Sequence, residues 1–132
     1  MGKEKKKIKK PELVEVKSRV KYLPISSRKL GLIVKAIKKL KPEEALRQLR
    51  FLNKKGARFL IKAIKTALAD GENNFGLVKE SLRFKEILVD QGPVLKRRDK
   101  SHGARFNGGV IRKSRSHLTI KLVGQRKEKH GA

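Results

Sequence analysis

The sequence predicts an α+β fold, with three helices packed on a small antiparallel sheet and a long protruding basic β-hairpin. Three observations carry that prediction. Leu13 to Leu23 alternates apolar with charged residues, the period-two signature of a half-buried strand. Three stretches between Ser26 and Gly71 instead repeat apolar residues at helical spacing. Strand-like residues at 82–90 and 118–122 then flank a segment, Gln91 to Ser116, that carries eight cations against one acid, Asp99, and few residues able to build a core.

In the first strand, Val14, Val16, Ser18, Val20 and Tyr22 form the face expected on the core, and Glu15, Lys17, Arg19 and Lys21 form the charged face. Pro24 ends the strand because it has no N–H to give a ladder, and Ser26 or Ser27 can cap the helix that follows. That helix puts Leu30, Ile33, Val34 and Ile37 on one face. Arg28 and Lys29 stand in its first turn, where the helix dipole disfavours cations by a few tenths to about 1 kcal/mol, which points to an anion they meet.

Pro42 followed by Glu43 and Glu44 opens a second helix, since proline loses no needed bond there and acids suit that end. It runs to about Leu52 and turns Ala45, Leu46, Leu49 and Leu52 inward. Asn53 is expected to cap a longer third helix with Ala57, Leu60, Ile61, Ile64 and Leu68 inward, ending near Asp70-Gly71. Lys54, Lys55, Arg58, Lys62 and Lys65 line its other faces, where phosphate contact is favoured over an ordinary solvated face only because the whole chain is so basic. After the polar turn at 72–76, Leu82 to Asp90 reads as a strand with Phe84 and Leu88 on one face and Ile87 and Val89 on the other. Such a strand is either held between neighbours or bent by a bulge.

Leu88 and Val89 are expected to pair with the alternating run Leu118, Ile120 and Leu122. Between them, Gly92-Pro93 begins the arm, Gly103 marks its midpoint, and Gly108-Gly109 lies near its tip. Each limb is then roughly 13 residues, an arm on the order of 40 Å. The same fold places Asp90 opposite His117, a structural pair at the neck. The arm's cations are Lys96, Arg97, Arg98, Lys100, Arg105, Arg112, Lys113 and Arg115. An isolated ribbon is marginal in water and these charges repel, so its ordered state calls for a polyanionic partner.

A chain of 132 residues is one domain by length. We divide it into a disordered basic tail at 1–11, a single RNA-binding domain at 12–125 that includes the extended hairpin 91–116, and a basic C-terminal tail at 126–132. A formal net charge of +25 exceeds what solubility needs and implies a partner rich in phosphate. No apolar run approaches a membrane span, which argues for a cytoplasmic protein with no membrane role. Without cysteine, and with His102, His117 and His130 far apart, neither a metal site nor another cofactor is expected. Catalysis is disfavoured too, because Ser116 and His117 are strand neighbours that point to opposite faces. Aromatic residues are scarce, which favours contact with a nucleic-acid backbone, RNA or DNA, over stacking on unpaired bases.

Five segments in order then resemble the large-subunit ribosomal protein twenty-two family. They are Ile25-Ser26-x-Arg28-Lys29, Glu43-Glu44-Ala45, Ala69 with Glu72-Asn73-Asn74, Val89-Asp90-x-Gly92-Pro93 with Leu95-Lys96-Arg97, and Ser116-His117-Leu118-Thr119. The resemblance spans about Val14 to Val123. It implies a ribosomal location, binding to large-subunit ribosomal RNA, neighbouring ribosomal proteins as partners, and a hairpin tip that meets the nascent peptide in the exit tunnel; separately, the sequence offers no exposed apolar dimer face beyond the stripes used for the core, so no homo-oligomer is expected. At the tip, His102 to Gly109 stands where the family carries a denser arginine and proline run, so the family's contacts carry over to the limbs alone, at Lys96, Arg97, Arg112, Lys113 and Arg115. With the residues read above, the expected RNA-binding set is Arg19, Lys21, Arg28, Lys29, Lys96, Arg97, Arg98, Lys100, Arg105, Arg112, Lys113, Arg115 and His117.

Overall fold

The computed structural model describes residues 13–101 and 108–126. The expected tails, apart from Arg126, lie outside the described residues, as do the Gly103 midpoint and Arg105. In chain order the elements are β1 (Leu13–Leu23), α1 (Ser27–Ile37), α2 (Pro42–Phe51), α3 (Lys55–Asn73), a single 3₁₀ turn (Lys79–Ser81), β2 (Arg83–Arg98) and β3 (Val110–Gln125). The strands form one antiparallel sheet in the order β1-β3-β2.

The centre of that sheet falls to β3 because its alternating residues Leu118, Ile120 and Leu122 are all apolar and all buried. On the same face, Val16 and Phe84 flank Leu122, Ser18 and Ile87 flank Ile120, and Val20 and Val89 flank Leu118. The helices close over this layer with Leu30, Val34 and Ile37 of α1, Ala45 and Leu49 of α2, and Leu60, Ala63, Ile64, Ala67 and Leu68 of α3. Burying a Leu or Ile side chain in such a core contributes roughly 1.5–3 kcal/mol, so the sheet and the helical stripes hold each other in place.

Two bulges shape β2. Register shifts between Phe84 and Glu86, so Phe84, Ile87 and Val89 all pack against the core while Leu88 stays at the surface. That corrects the expected split of Phe84 from Ile87 and selects the bent strand over the doubly covered one. The second shift lies between Gln91 and Val94, at Gly92-Pro93, where the ladder leaves the body and becomes the arm. A Cβ at Gly92 would stand 2.9 Å from the Arg115 carbonyl carbon and oxygen, so only glycine lets the two backbones approach this closely.

Three further expectations are corrected. Tyr22 is not on the core face: β1 shifts register between Val20 and Leu23, Tyr22 adopts φ +59° and is 60 % exposed, and Leu23 turns inward. Leu52 is likewise exposed, because the backbone is already extended there (ψ 113°) and the helical stripe has ended. Asn53 does not cap α3, which starts one residue later from Lys54 with no side-chain cap. By contrast Ser26 caps α1, its Oγ accepting the Lys29 N–H at 3.4 Å.

The end of the sheet away from the arm is stitched to α3. Leu77 N–H donates to the Gly71 carbonyl at 3.0 Å and Val78 N–H to the Gln125 carbonyl at 2.8 Å. Ser81 Oγ donates to the Val78 carbonyl at 2.7 Å and accepts the Gln125 N–H at 2.9 Å. At 19 residues α3 is about 28 Å long and runs from the foot of the arm to this opposite end.

Candidate nucleic-acid interface

Beyond Val94 the arm has no core beneath it, and its ladder continues by backbone pairing. Leu95 pairs with Lys113, Lys96 with Arg112, Arg97 with Ile111 and Arg98 with Val110, and Asp99 N–H then donates to the Gly109 carbonyl at 3.0 Å. Directly opposed residues share a sheet face, so Lys96 and Arg112 present two cations side by side, an arrangement that is destabilising when nothing neutralises it. Lys96, Arg97, Arg112 and Lys113 are exposed and Arg115 is half-buried; none of the five has an acidic partner among the described residues. Asp99, the arm's one acid, faces inward to its own turn: its carboxylate accepts the Ser101 hydroxyl and, at 2.9 Å, the Ser101 N–H. Those two bonds, the hydroxyl's first, hold its pKa below the ordinary carboxylate range.

At the foot of the arm lies a notch of about 530 Å³ walled by Pro24, Ile25 and Ser26, by Lys29 and Lys55, and by Arg112 to Arg115. It forms because Pro24 turns the chain out of β1 into α1, while α3 begins beside α1. Gly56 permits that approach, for a Cβ there would meet Ile33 Cδ1 at 2.7 Å. Five cations, Lys29, Lys55, Arg112, Lys113 and Arg115, converge on this concavity and no carboxylate lines it. A recess of one sign of charge concentrates counter-charge, and neither α1 nor α3 has an acid in its first turn to offset the field.

Of the expected set, the structure thus brings together Lys29, Arg112, Lys113 and Arg115 in the notch and carries Lys96, Arg97 and Arg98 outward on the ribbon, with Lys100 just beyond. Arg28 is exposed beside the notch without lining it. Arg19 and Lys21 are exposed on β1, apart from the notch; Arg19 registers against Thr119. His117 does register with Asp90, yet its ring partner is another group: Nδ1 accepts the Tyr22 N–H at 3.1 Å, and the Tyr22 ring meets the imidazole edge-on at 5.0 Å. That bond pins the left-handed Tyr22 bulge and leaves Nε2 as the ring's donor. Lys55 was absent from the expected set. The signal that finds it is the one that singled out Arg28 and Lys29, a lysine in the uncompensated first turn of a helix.

A second concavity, about 480 Å³ between α2 and α3, makes the contrast. There Glu43 and Glu72 mix with Arg47, Arg50, Lys65 and Lys79, and Glu43 approaches Lys79 at 4.0 Å. Its two acids offset part of the field of its four cations. On the open face of the sheet Lys85 Nζ meets Glu15 at 2.7 Å and Lys121 meets Glu86 at 3.4 Å. The recess at the foot of the arm differs from this one in being lined by five cations and no carboxylate.

Fold and charge together define a class, small α+β proteins that project a cationic β-ribbon from the central and one edge strand of a three-stranded sheet. The family described as ribosomal protein L22p/L17e matches residues 18–123, and the chain belongs to that family. Its relatives include proteins named large ribosomal subunit protein uL22. The one from Thermus thermophilus is 39 % identical over 118 residues, covering 89 % of this chain and 99 % of the relative. The one from Caldicellulosiruptor saccharolyticus is 38 % identical, covering 84 % of this chain and 89 % of the relative. The one from Petrotoga mobilis is 41 % identical, covering 82 % and 71 %.

Proposed function

We propose that this chain is a structural, non-enzymatic constituent of the large ribosomal subunit of the cytoplasmic ribosome. In this reading it binds large-subunit ribosomal RNA, aids the subunit's assembly and lines the nascent-peptide exit tunnel with its hairpin. The observation that carries the reading is the like-charge ribbon, with Lys96 opposite Arg112 and no acid to answer either among the described residues. Its ordered form needs phosphates along both limbs, and RNA provides them at regular spacing. The notch at the foot would hold the backbone where the arm leaves the body, with Arg19, Lys21, Arg28 and His117 as outlying contacts and Arg105 nearer the tip. Neighbouring ribosomal proteins are the other partners, the nascent peptide passes the hairpin tip, and self-repulsion at +25 opposes a homo-oligomer.

The test is to replace residues 98–112 by a two-residue turn. None of the described residues removed is buried, so the body folds and the tagged protein still co-sediments with large subunits. Chemical-probe reactivity of the tunnel-wall RNA changes in those particles. Incorporation with wild-type tunnel reactivity would place the arm elsewhere, and failure of the intact protein to co-sediment would overturn the ribosomal assignment.

A further inference from the structure

Next to the cationic notch, and sharing Ile25, Lys29 and Lys55 with it, lies an apolar groove of about 400 Å³. Its walls are Ile25, Leu32, Ile33 and Gly56, and its rim is Lys29, Lys54 and Lys55. Leu32 is 66 % exposed on a helix whose other large apolar residues are buried or half-buried, so this wall is left in water. We propose that the groove seats an unpaired nucleobase whose own phosphate lies in the adjoining notch. The proposal rests on the RNA-binding reading above and deepens it, because it adds a base contact to an interface otherwise made of backbone contacts.

The choice of occupant follows from the two recesses being continuous. A bare phosphate would satisfy the notch and leave Leu32 uncovered. An apolar protein side chain would cover Leu32 and bring no anion to three ammonium groups. A nucleotide carries a flat body with apolar faces and an anion a few ångströms away, and unpaired bases in folded RNA are the ones free to leave the stack. No aromatic side chain lines the groove, so the clamp is aliphatic: Leu32 and Ile25 against the base, with the lysine stems laid along its edge and their ammonium groups outward.

The experiment titrates the methyl-labelled full-length protein with an adenylate hexamer and, separately, with an abasic oligomer of equal charge. With adenylate, the methyl signals of Leu32, Ile25 and Ile33 move upfield in the ring current, and the abasic oligomer binds about five-fold or more weakly at that site. Leu32→Ser, a change at an exposed position, brings adenylate binding down to the abasic level and leaves abasic binding unchanged. Equal affinity for the two oligomers with unmoved methyl signals overturns the base seat while the phosphate reading stands. If neither oligomer binds, the phosphate reading falls and the seat with it. If an acidic leucine-bearing peptide shifts those methyls and adenylate does not, the groove is a protein-docking surface and the proposal is wrong.

Discussion

Gly92 and Gly109 lie on opposite limbs of the arm and differ in what a Cβ would meet. At Gly92 it would press on the Arg115 backbone, whereas at Gly109 it would find nothing within 4 Å. Because backbone cannot swing aside as a side-chain tip can, Gly92→Ala is expected to destabilise the full chain by about 1–3 kcal/mol in urea denaturation, and Gly109→Ala to leave it nearly unchanged. The Glu15–Lys85 pair makes a residue-scale prediction about pH. The hydrogen bond from Lys85 depresses the Glu15 pKa, so that carboxylate stabilises the fold above its unfolded value, and the contribution is lost as pH falls through the depressed one. Lys85 is raised by the same bond, so its contribution is complete below its unfolded value and disappears as pH rises through the raised one. In a carboxyl-detected titration Glu15 therefore ends its transition below the ordinary carboxylate range, and Lys85→Met returns it toward that range.

At the scale of elements, α3 and the arm are opposites. Alanines and large apolar residues of α3 are buried along its length, whereas the described outer limbs of β2 and β3, from Leu95 to Arg98 and from Val110 to Lys113, bury no residue. Hydrogen exchange of the free protein should show the amides of Arg97, Arg98, Ile111 and Arg112 exchanging by local opening, orders of magnitude faster than those of Leu60 and Ile64. Equal protection would mean that the ribbon is stable without a polyanion. The sequence made these elements legible wherever one face had to be buried: β1, the three helices, the β2–β3 pairing and the Asp90–His117 register all follow from apolar periodicity and from where the turns fall. It hid what depends on a single inserted residue. The extra residue in β1 turned Tyr22 out and Leu23 in, and the bulge after Phe84 put it on the face of Ile87, because alternation past a bulge changes phase without changing composition. The ribbon cations were legible as a basic run, while the notch was not, since Lys55 comes to line one recess with Arg112 and Arg115 only once α3 starts beside the foot of the arm.

For the molecule as a whole, it is the acids that are unevenly placed. Glu43, Glu44, Asp70, Glu72 and Glu80 cluster at the start of α2, the end of α3 and the turn before β2, whereas cations cover the body as well as the arm, and the two adjoining recesses at the arm's foot are lined by cations with no acid. The foot of the arm is therefore a recess suited to a polyanion, and the cations on β1 and the helices add a diffuse positive field around it. The central claim is that the arm and notch bind RNA through its phosphates. The most direct measurement is the salt dependence of affinity for large-subunit ribosomal RNA, comparing the wild-type chain with one in which Lys96, Arg97, Arg112, Lys113 and Arg115 are all glutamine. The log-log slope should fall by roughly 0.7 to 0.9 for every phosphate that is no longer neutralised, about 3.5 to 4.5 in all if each cation meets one phosphate. An unchanged slope in the substituted chain would contradict the account.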